Sequence, residues 1–291
     1  MKYQIGRFSA AGEPFVGALV DRGVVSLGVG DDLPAALSRP DSWLRPALEG
    51  GRHFGLDEVE TLAPLDPASR VFAVALNYRD HAAEANSRPF PRPLFFYKPP
   101  SSFVADGGVL DLSPELTGEL DYEGEIAVVL GRSCRGVTPD AALDQIAGVC
   151  SLMDGSARDL QMLSTASGPI HDWLAGKSLE RSSSLGPTIV RGPEVDAALR
   201  ERRLRINTRL NSELVQDAGI DELVFSVEEL VSTLSAYFTL RPGDVIATGT
   251  PGGIGAARGR FLRQGDSLEV AIPGVCSLSI GVGELLPAPP R

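Results

Sequence analysis

Apolar residues in this chain fall in short runs that alternate or cluster, and seldom recur at helical spacing. Tyr3-Gln4-Ile5-Gly6-Arg7-Phe8 and Phe15-Val16-Gly17-Ala18-Leu19-Val20 predict two strands joined by a turn near Gly12. Asp21-Arg22-Gly23 predicts another turn before Val24-Val25-Ser26-Leu27. Residues 126–130, Ile-Ala-Val-Val-Leu ended by Gly131, predict a fully buried strand, and Val149-Cys150-Ser151-Leu152-Met153 predicts a second. Helical patterning is confined to patches at 33–37 and 43–48 and to segments near 79–86, 156–163 and 226–236. The last begins with a capping box, Ser226-Val227-Glu228-Glu229, with Phe225 and Leu230 placed as a staple. Its apolar face is Val227, Leu230, Val231 and Leu234, which reads as structural.

Many strands with few, short helices predict a mostly β, α+β fold. The proline-marked stretch Ala63-Pro64-Leu65-Asp66-Pro67 divides a small β-rich N-terminal domain, 1–66, from a larger domain, 70–287. No βαβ rhythm is present. Gly249-Thr250-Pro251-Gly252-Gly253-Ile254-Gly255 lacks the spacing and the following helix of a dinucleotide fingerprint. The tail 287–291 predicts disorder.

Charge narrows the partners. Lys and Arg number 27 against 38 Asp and Glu, a net charge of −11 without a basic cluster, so nucleic acid is not an expected partner. No apolar run reaches membrane-spanning length and the first residues lack a signal core, so neither membrane insertion nor export is expected. Cys134, Cys150 and Cys276 are too few and too scattered for a disulfide framework or a thiolate metal site. A cytoplasmic location is the default expectation.

Candidate chemistry begins at Glu123 and Glu125. Strand side chains alternate faces, so both point one way at the start of the 126–130 run. They are either a solvated strand edge or a pair of carboxylates that a hard divalent cation compensates. Asp154 follows the second buried run at an expected strand-to-helix turn, where it is either an N-cap or a third oxygen ligand. Three carboxylates would suit Mg²⁺ or Mn²⁺ better than Zn²⁺. His81 and Glu84, three apart on one short helix, are either a surface pair or a base with its orienter. Arg158 and Gln161 share a helical face just after Asp154. Lys177 follows Gly176 without the upstream glycine of a phosphate loop, and Thr250 lies in a tight Thr-Gly-Thr-Pro turn, there either to bind a substrate carboxylate or to stabilise the turn. Asp121 and Asp159 read as structural.

These segments resemble the fumarylacetoacetate hydrolase family. The resemblance rests on Leu76-Asn77-Tyr78-Arg79-Asp80-His81-Ala82-Ala83-Glu84, Asp121-Tyr122-Glu123-Gly124-Glu125, Asp154-Gly155-Ser156-Ala157-Arg158-Asp159-Leu160-Gln161, Gly176-Lys177-Ser178 with Leu185-Gly186-Pro187, and Leu240-Arg241-Pro242-Gly243-Asp244 running to Pro251, in the family's order. The resemblance implies the family's mixed β-roll, Mg²⁺ (or Mn²⁺) on Glu123, Glu125 and Asp154, and a homodimer. It implies that His81, Glu84 and Lys177 are catalytic and that Arg158, Gln161, Tyr78 and Thr250 contact substrate. Three departures stand out. Gly124 stands where the family often has a larger apolar residue, the 164–173 spacer, which contains His171, is long, and Glu180 stands where an Asp is common. The implied reaction is hydrolysis of a carbon–carbon bond in a small anionic 2,4-dioxo acid through a metal-stabilised enolate. The same site would serve isomerisation or decarboxylation of 2-oxo diacids, oxaloacetate included. A catalytically idle metal-binding homologue is the alternative of another class.

Overall fold

The computed structural model describes residues 2–84 and 90–284. At its centre is the strand Gly124–Leu130, in which every residue is buried. Its odd and even positions serve two different cores. Ile126, Val128 and Leu130 join one apolar cluster, while Ala127 and Val129 join another. A strand with apolar layers on both faces reads as a continuous hydrophobic run, which is why the sequence shows no alternation there.

On one side Gly124–Leu130 pairs antiparallel with Ile146–Met153, and on the other with Val245–Ala247. Val245–Ala247 in turn runs parallel to Val71–Ala75, which pairs antiparallel with Leu94–Lys98. In the opposite direction Ile146–Met153 meets Ile189–Arg191, and that short strand pairs with Tyr3–Ala10 of the N-terminal segment. One mixed sheet of 13 strands therefore runs from the N-terminal segment through the centre. A five-stranded sheet, with Arg205–Leu210, Ser267–Ile272 and Cys276–Gly283 among its members, covers one face. The core between the sheets contains Ile126, Val149, Ile206, Val270 and Leu278. The architecture is mostly β with short helices, as the apolar pattern predicts.

Several local expectations hold in detail. Tyr3–Ala10 and Glu13–Val20 form a hairpin whose turn, Ala11 and Gly12, takes positive φ. The helix Val227–Tyr237 starts on the Ser226 capping box and buries Val227, Leu230, Val231 and Leu234. The helix expected near 79–86 is seen as Arg79–Glu84; its last two residues, and the 287–291 tail, lie outside the described residues.

The 156–163 helix is a correction. Ser156–Ala157 instead adds a two-residue strand beside Leu120–Asp121, and only Arg158–Gln161 is helical. Met162–Thr165 then pairs with Gly168–His171 as a hairpin around Ala166-Ser167, and Gly168 begins the returning strand at φ +112°. Only glycine adopts that backbone readily. Asp154 accordingly caps no helix, since the residue before the Arg158 helix is Ala157.

Candidate active site

Pairing register brings the acids together. Gly124 lies opposite Met153 and Glu125 opposite Leu152, and the Asp154 N–H donates to the Glu123 carbonyl at 2.8 Å. Glu123 and Glu125 share strand parity with Ala127 and Val129; Asp154 shares it with Cys150 and Leu152. All four of those apolar residues belong to the same cluster, so the three carboxylates emerge on one face. They are buried, and ligand oxygens from each lie within 4.8 Å of one another.

Three cations surround them. Lys177 Nζ donates to Glu123 Oε2 at 2.6 Å, Asp154 Oδ2 at 3.0 Å and Ser156 Oγ at 2.6 Å, which uses all three of its protons. Arg158 bridges Glu123 Oε1 at 2.6 Å and Asp121 Oδ2 at 2.9 Å, and reaches Gln161 Oε1 at 3.2 Å. Lys98, fully buried, lies 2.7 Å from Asp154 Oδ1. That contact lacks hydrogen-bond alignment: Lys98 donates instead to the carbonyls of Gly155 and Lys177, and Asp154 Oδ1 accepts no hydrogen bond.

The two glutamates are treated differently by this field. Burial alone would raise the Glu123 carboxyl, but Lys177 and Arg158 outweigh it and hold Glu123 below the usual range. Burial, reinforced by Asp154 and Glu123, pushes Glu125 well up. Glu125 accepts the Gly249 N–H at 2.7 Å and forms no ion pair among the described residues. A hard divalent cation fits this donor set: all-oxygen ligands, one carboxylate without a counter-charge, and an open lone pair on Asp154 Oδ1.

Above the acids opens a cavity of about 320 Å³. Glu123, Arg158, Gln161, Lys177, His81, Glu84 and Thr250 line it, so seven of the ten expected site residues face one space. Glu125 and Asp154 lie beneath it. Tyr78 is a correction: its side chain is wholly enclosed in the core and does not reach the cavity. Thr250 lines the wall, yet its hydroxyl donates to the Gly124 carbonyl at 3.1 Å and accepts from Gln216 at 2.8 Å. Of its two expected roles, turn stabilisation is the one in place.

His81 is buried, and desolvation pushes its imidazole below the ordinary range, so the ring is neutral near pH 7. Its Nδ1 lies 3.9 Å from Glu84 Oε2 and has no hydrogen-bond partner. Both Glu84 oxygens accept the Gly253 N–H instead, at 2.9 and 3.0 Å, and Asp80 accepts Gly252 N–H at 2.9 Å. The His81 helix is thus tied to the glycine-rich loop after Thr250. At its other end, the preceding Asn77 clamps the Thr248 and Phe225 backbone.

Four contributors were missed in the sequence. Phe96 and Trp173 stack at 5.3 Å, and His171 stacks on Trp173 at 4.9 Å, forming one wall of the cavity. Lys98 drew no reading from the sequence, yet it shares parity with buried Phe96 while Tyr97 between them is exposed. That parity was the available signal. Gln216 bonds the Gly124 N–H, Thr250 and the Pro251 carbonyl at once, and no local pattern announces it. The Gly124 departure also gains a reason. A Cβ there would stand 1.9 Å from Thr208 Oγ1 and 3.2 Å from Gln216 Oε1, so the space a larger residue would need is already filled.

The comparisons agree with this geometry. Residues 70–283 match the profile of the fumarylacetoacetate (FAA) hydrolase C-terminal family. Oxaloacetate tautomerase YisK of Bacillus subtilis is 34% identical over 278 residues, 93% of this chain and 88% of its own length. A fumarylacetoacetate hydrolase from Exiguobacterium antarcticum superposes with a TM-score of 0.79 at 30% identity, covering 97% of this chain and 100% of that one. Fumarylpyruvate hydrolase from Pseudomonas aeruginosa, solved with Mn²⁺ and pyruvate, gives 0.64 at 33% identity over 77% of this chain and 91% of that one. With the family profile spanning most of its length and the acid cluster in place, the chain is an enzyme of the fumarylacetoacetate hydrolase family.

Proposed function

We propose that the chain interconverts keto and enol forms of a small anionic 2-oxo acid of the oxaloacetate type. The observation that carries this reading is the commitment of Glu84 to the Gly253 N–H, which leaves His81 a buried, neutral imidazole without an orienting carboxylate at hydrogen-bond distance. A water-activating base is ordinarily oriented by its partner. Moving a proton from carbon to oxygen of one bound substrate needs only a neutral base within reach. Sequence alone put hydrolysis first; this arrangement moves proton transfer ahead of it. The tautomerase activity named for the Bacillus subtilis relative, similar over most of both chains, supports the same choice.

In this mechanism Arg158 and Lys177 place positive charge on the cavity floor and draw the substrate carboxylate there. His81 takes the proton from the carbon beside the keto group, and one proton is returned to the keto oxygen, so no atom is gained or lost. Glu123, Glu125 and Asp154 would hold a divalent cation, Mg²⁺ or Mn²⁺, that supplies Lewis-acid stabilisation of the enolate charge. Phe96 and Trp173 form an apolar wall beside the bound substrate.

Hydrolysis of a 2,4-dioxo acid is the second reading, favoured by the 3.9 Å approach of Glu84 to His81 Nδ1, since catalytic hydrogen bonds are often long before substrate binds. One experiment separates the readings. Purified protein with Mg²⁺ is given enol oxaloacetate, followed by ultraviolet absorbance, and acetylpyruvate, followed by pyruvate release. Faster ketonisation without pyruvate from either compound supports tautomerisation. Pyruvate from acetylpyruvate supports hydrolysis, pyruvate from oxaloacetate supports decarboxylation, and no turnover of either supports an idle homologue. We further propose a homodimer, on the family resemblance alone; a sedimentation run showing only the monomer at micromolar concentration would refute it. No described helix is long and apolar enough to cross a membrane.

A further inference from the structure

Lys98 is a charge with no surface to escape to. It ends the strand Leu94–Lys98, has no exposed area, and stands against three separate groups: Asp154 Oδ1 at 2.7 Å, the Gly155 carbonyl at 3.2 Å and the Lys177 carbonyl. A buried ammonium is costly unless its partners compensate it, and here they lie on the two segments that carry Asp154 and Lys177. The family reading gives Lys98 no task. Phe96, on the same face of the strand, is buried and apolar, so an apolar residue would be the cheaper choice for position 98 as well.

We propose that Lys98 is a positioning residue that preforms the cation site and limits its affinity. Its ammonium holds Asp154 beside Glu123 and Glu125 and anchors the end of the helix Trp173–Lys177, so that Lys177 projects into the cavity. The same positive charge stands 2.7 Å from an oxygen that the divalent cation would use. Like charges so close in a buried site repel. Lys98 therefore gives geometry and takes away affinity, leaving a site that is assembled before the ion arrives and exchanges it readily. This rests on the reading of Glu123, Glu125 and Asp154 as a divalent-cation site.

A purely structural lysine and a counter-charge predict opposite signs. Mn²⁺ is titrated into the metal-free full-length protein, free ion being read by electron paramagnetic resonance, for the wild type, Lys98→Met, Lys98→Gln and Lys98→Arg. Circular dichroism checks folding of each. The neutral variants are expected to bind Mn²⁺ roughly tenfold tighter or more, because a like charge beside the ion is gone. Turnover of Lys98→Met at saturating Mn²⁺ should nevertheless fall, since Lys177 loses its anchor. Lys98→Arg keeps the charge and should bind within about threefold of wild type, the residual difference being one of fit rather than charge. Should Lys98→Met fail to fold, Lys98→Gln, which retains donors for both carbonyls, carries the test. Weaker or unchanged binding in a folded neutral variant overturns the proposal for Lys98 while leaving the cation site standing. Absence of Mn²⁺ binding to the wild type overturns both.

Discussion

The floor and the rim of the cavity are built on opposite principles. The floor is two antiparallel strands, Gly124–Leu130 and Ile146–Met153, packed on both faces and locked in register. The rim is the 162–171 hairpin, in which Met162, Leu163 and Ile170 are all exposed and whose two strands, among the described residues, pair only with each other. The difference teaches where chemistry and selectivity can reside. Carboxylates must be held against their own repulsion, and only a buried ladder with cations built around it does that. A self-paired hairpin is held by little, so its residues can change without disturbing the acids. Substitutions should therefore abolish function on the floor and only adjust it on the rim.

The largest effect is expected at Glu125. It is the one carboxylate of the proposed cation site without a counter-charge among the described residues, so Glu125→Ala would remove a donor that nothing else replaces. Mn²⁺ binding by calorimetry and turnover should vanish together while the fold survives. Activity at the wild-type level in a chelator-treated sample would end the metal reading.

Next is His81→Ala. Loss of a positioned proton carrier costs about 10²–10⁴-fold in kcat. Substrate affinity should hardly move, because Arg158 and Lys177 still line the cavity. Comparing keto–enol exchange with acetylpyruvate hydrolysis in this variant sharpens the functional choice. Equal losses fit a shared proton shuttle; a loss confined to hydrolysis would show that His81 serves water alone.

Third is Gly124→Ala, which tests the floor without touching a ligand. The added methyl meets Thr208 Oγ1 at 1.9 Å, so something must shift. Overpacking of this kind costs about 1–3 kcal/mol, seen as a melting temperature lower by several degrees. Thr208→Ala in the same chain removes the clashing oxygen, which is buried and unpartnered in the wild type, and should restore most of the loss. Simple additivity of the two substitutions would show that the strain lies elsewhere.

The same contrast governs what the sequence disclosed. Residues 126–130 and 149–153 could be read because burial on both faces writes itself as an unbroken apolar run. Parity then placed Glu123 and Glu125 on one side, while the antiparallel pairing that brings Asp154 to them is non-local and was not legible. The rim misled because Leu160 and Leu163 are spaced as on a helix, while the actual determinants are non-local. Ser156–Ala157 finds its partner at Leu120–Asp121, and the chain turns back around Ala166-Ser167. Tyr78 was placed at the substrate by the family resemblance alone, and nothing in the local sequence said which way its ring would point. Gln216 and Phe96 arrive from distant strands, and no window of sequence contains both ends of their contacts.

The smallest effect is expected next to the rim, at Trp173, on which the hairpin's His171 stacks. Its ring is sandwiched between Phe96, at 5.3 Å, and His171, at 4.9 Å, and it stands on the short helix that ends at Lys177. The Asp172 side chain caps that helix through the Ala175 N–H at 3.0 Å, so the helix does not depend on the indole. Trp173→Ala removes apolar wall and two stacking contacts, each worth about 0.5–1.5 kcal/mol. Part of that stabilises the hairpin and part reaches the bound substrate, so KM should rise about 2–10-fold, tenfold corresponding to about 1.4 kcal/mol. The acid cluster is untouched, so Mn²⁺ affinity should stay at the wild-type value and kcat should change little. Trp173→Phe keeps a stacking ring and should recover most of the KM. A fall in kcat as large as that of His81→Ala would mean that the rim takes part in the chemistry, and the division between floor and rim would not stand.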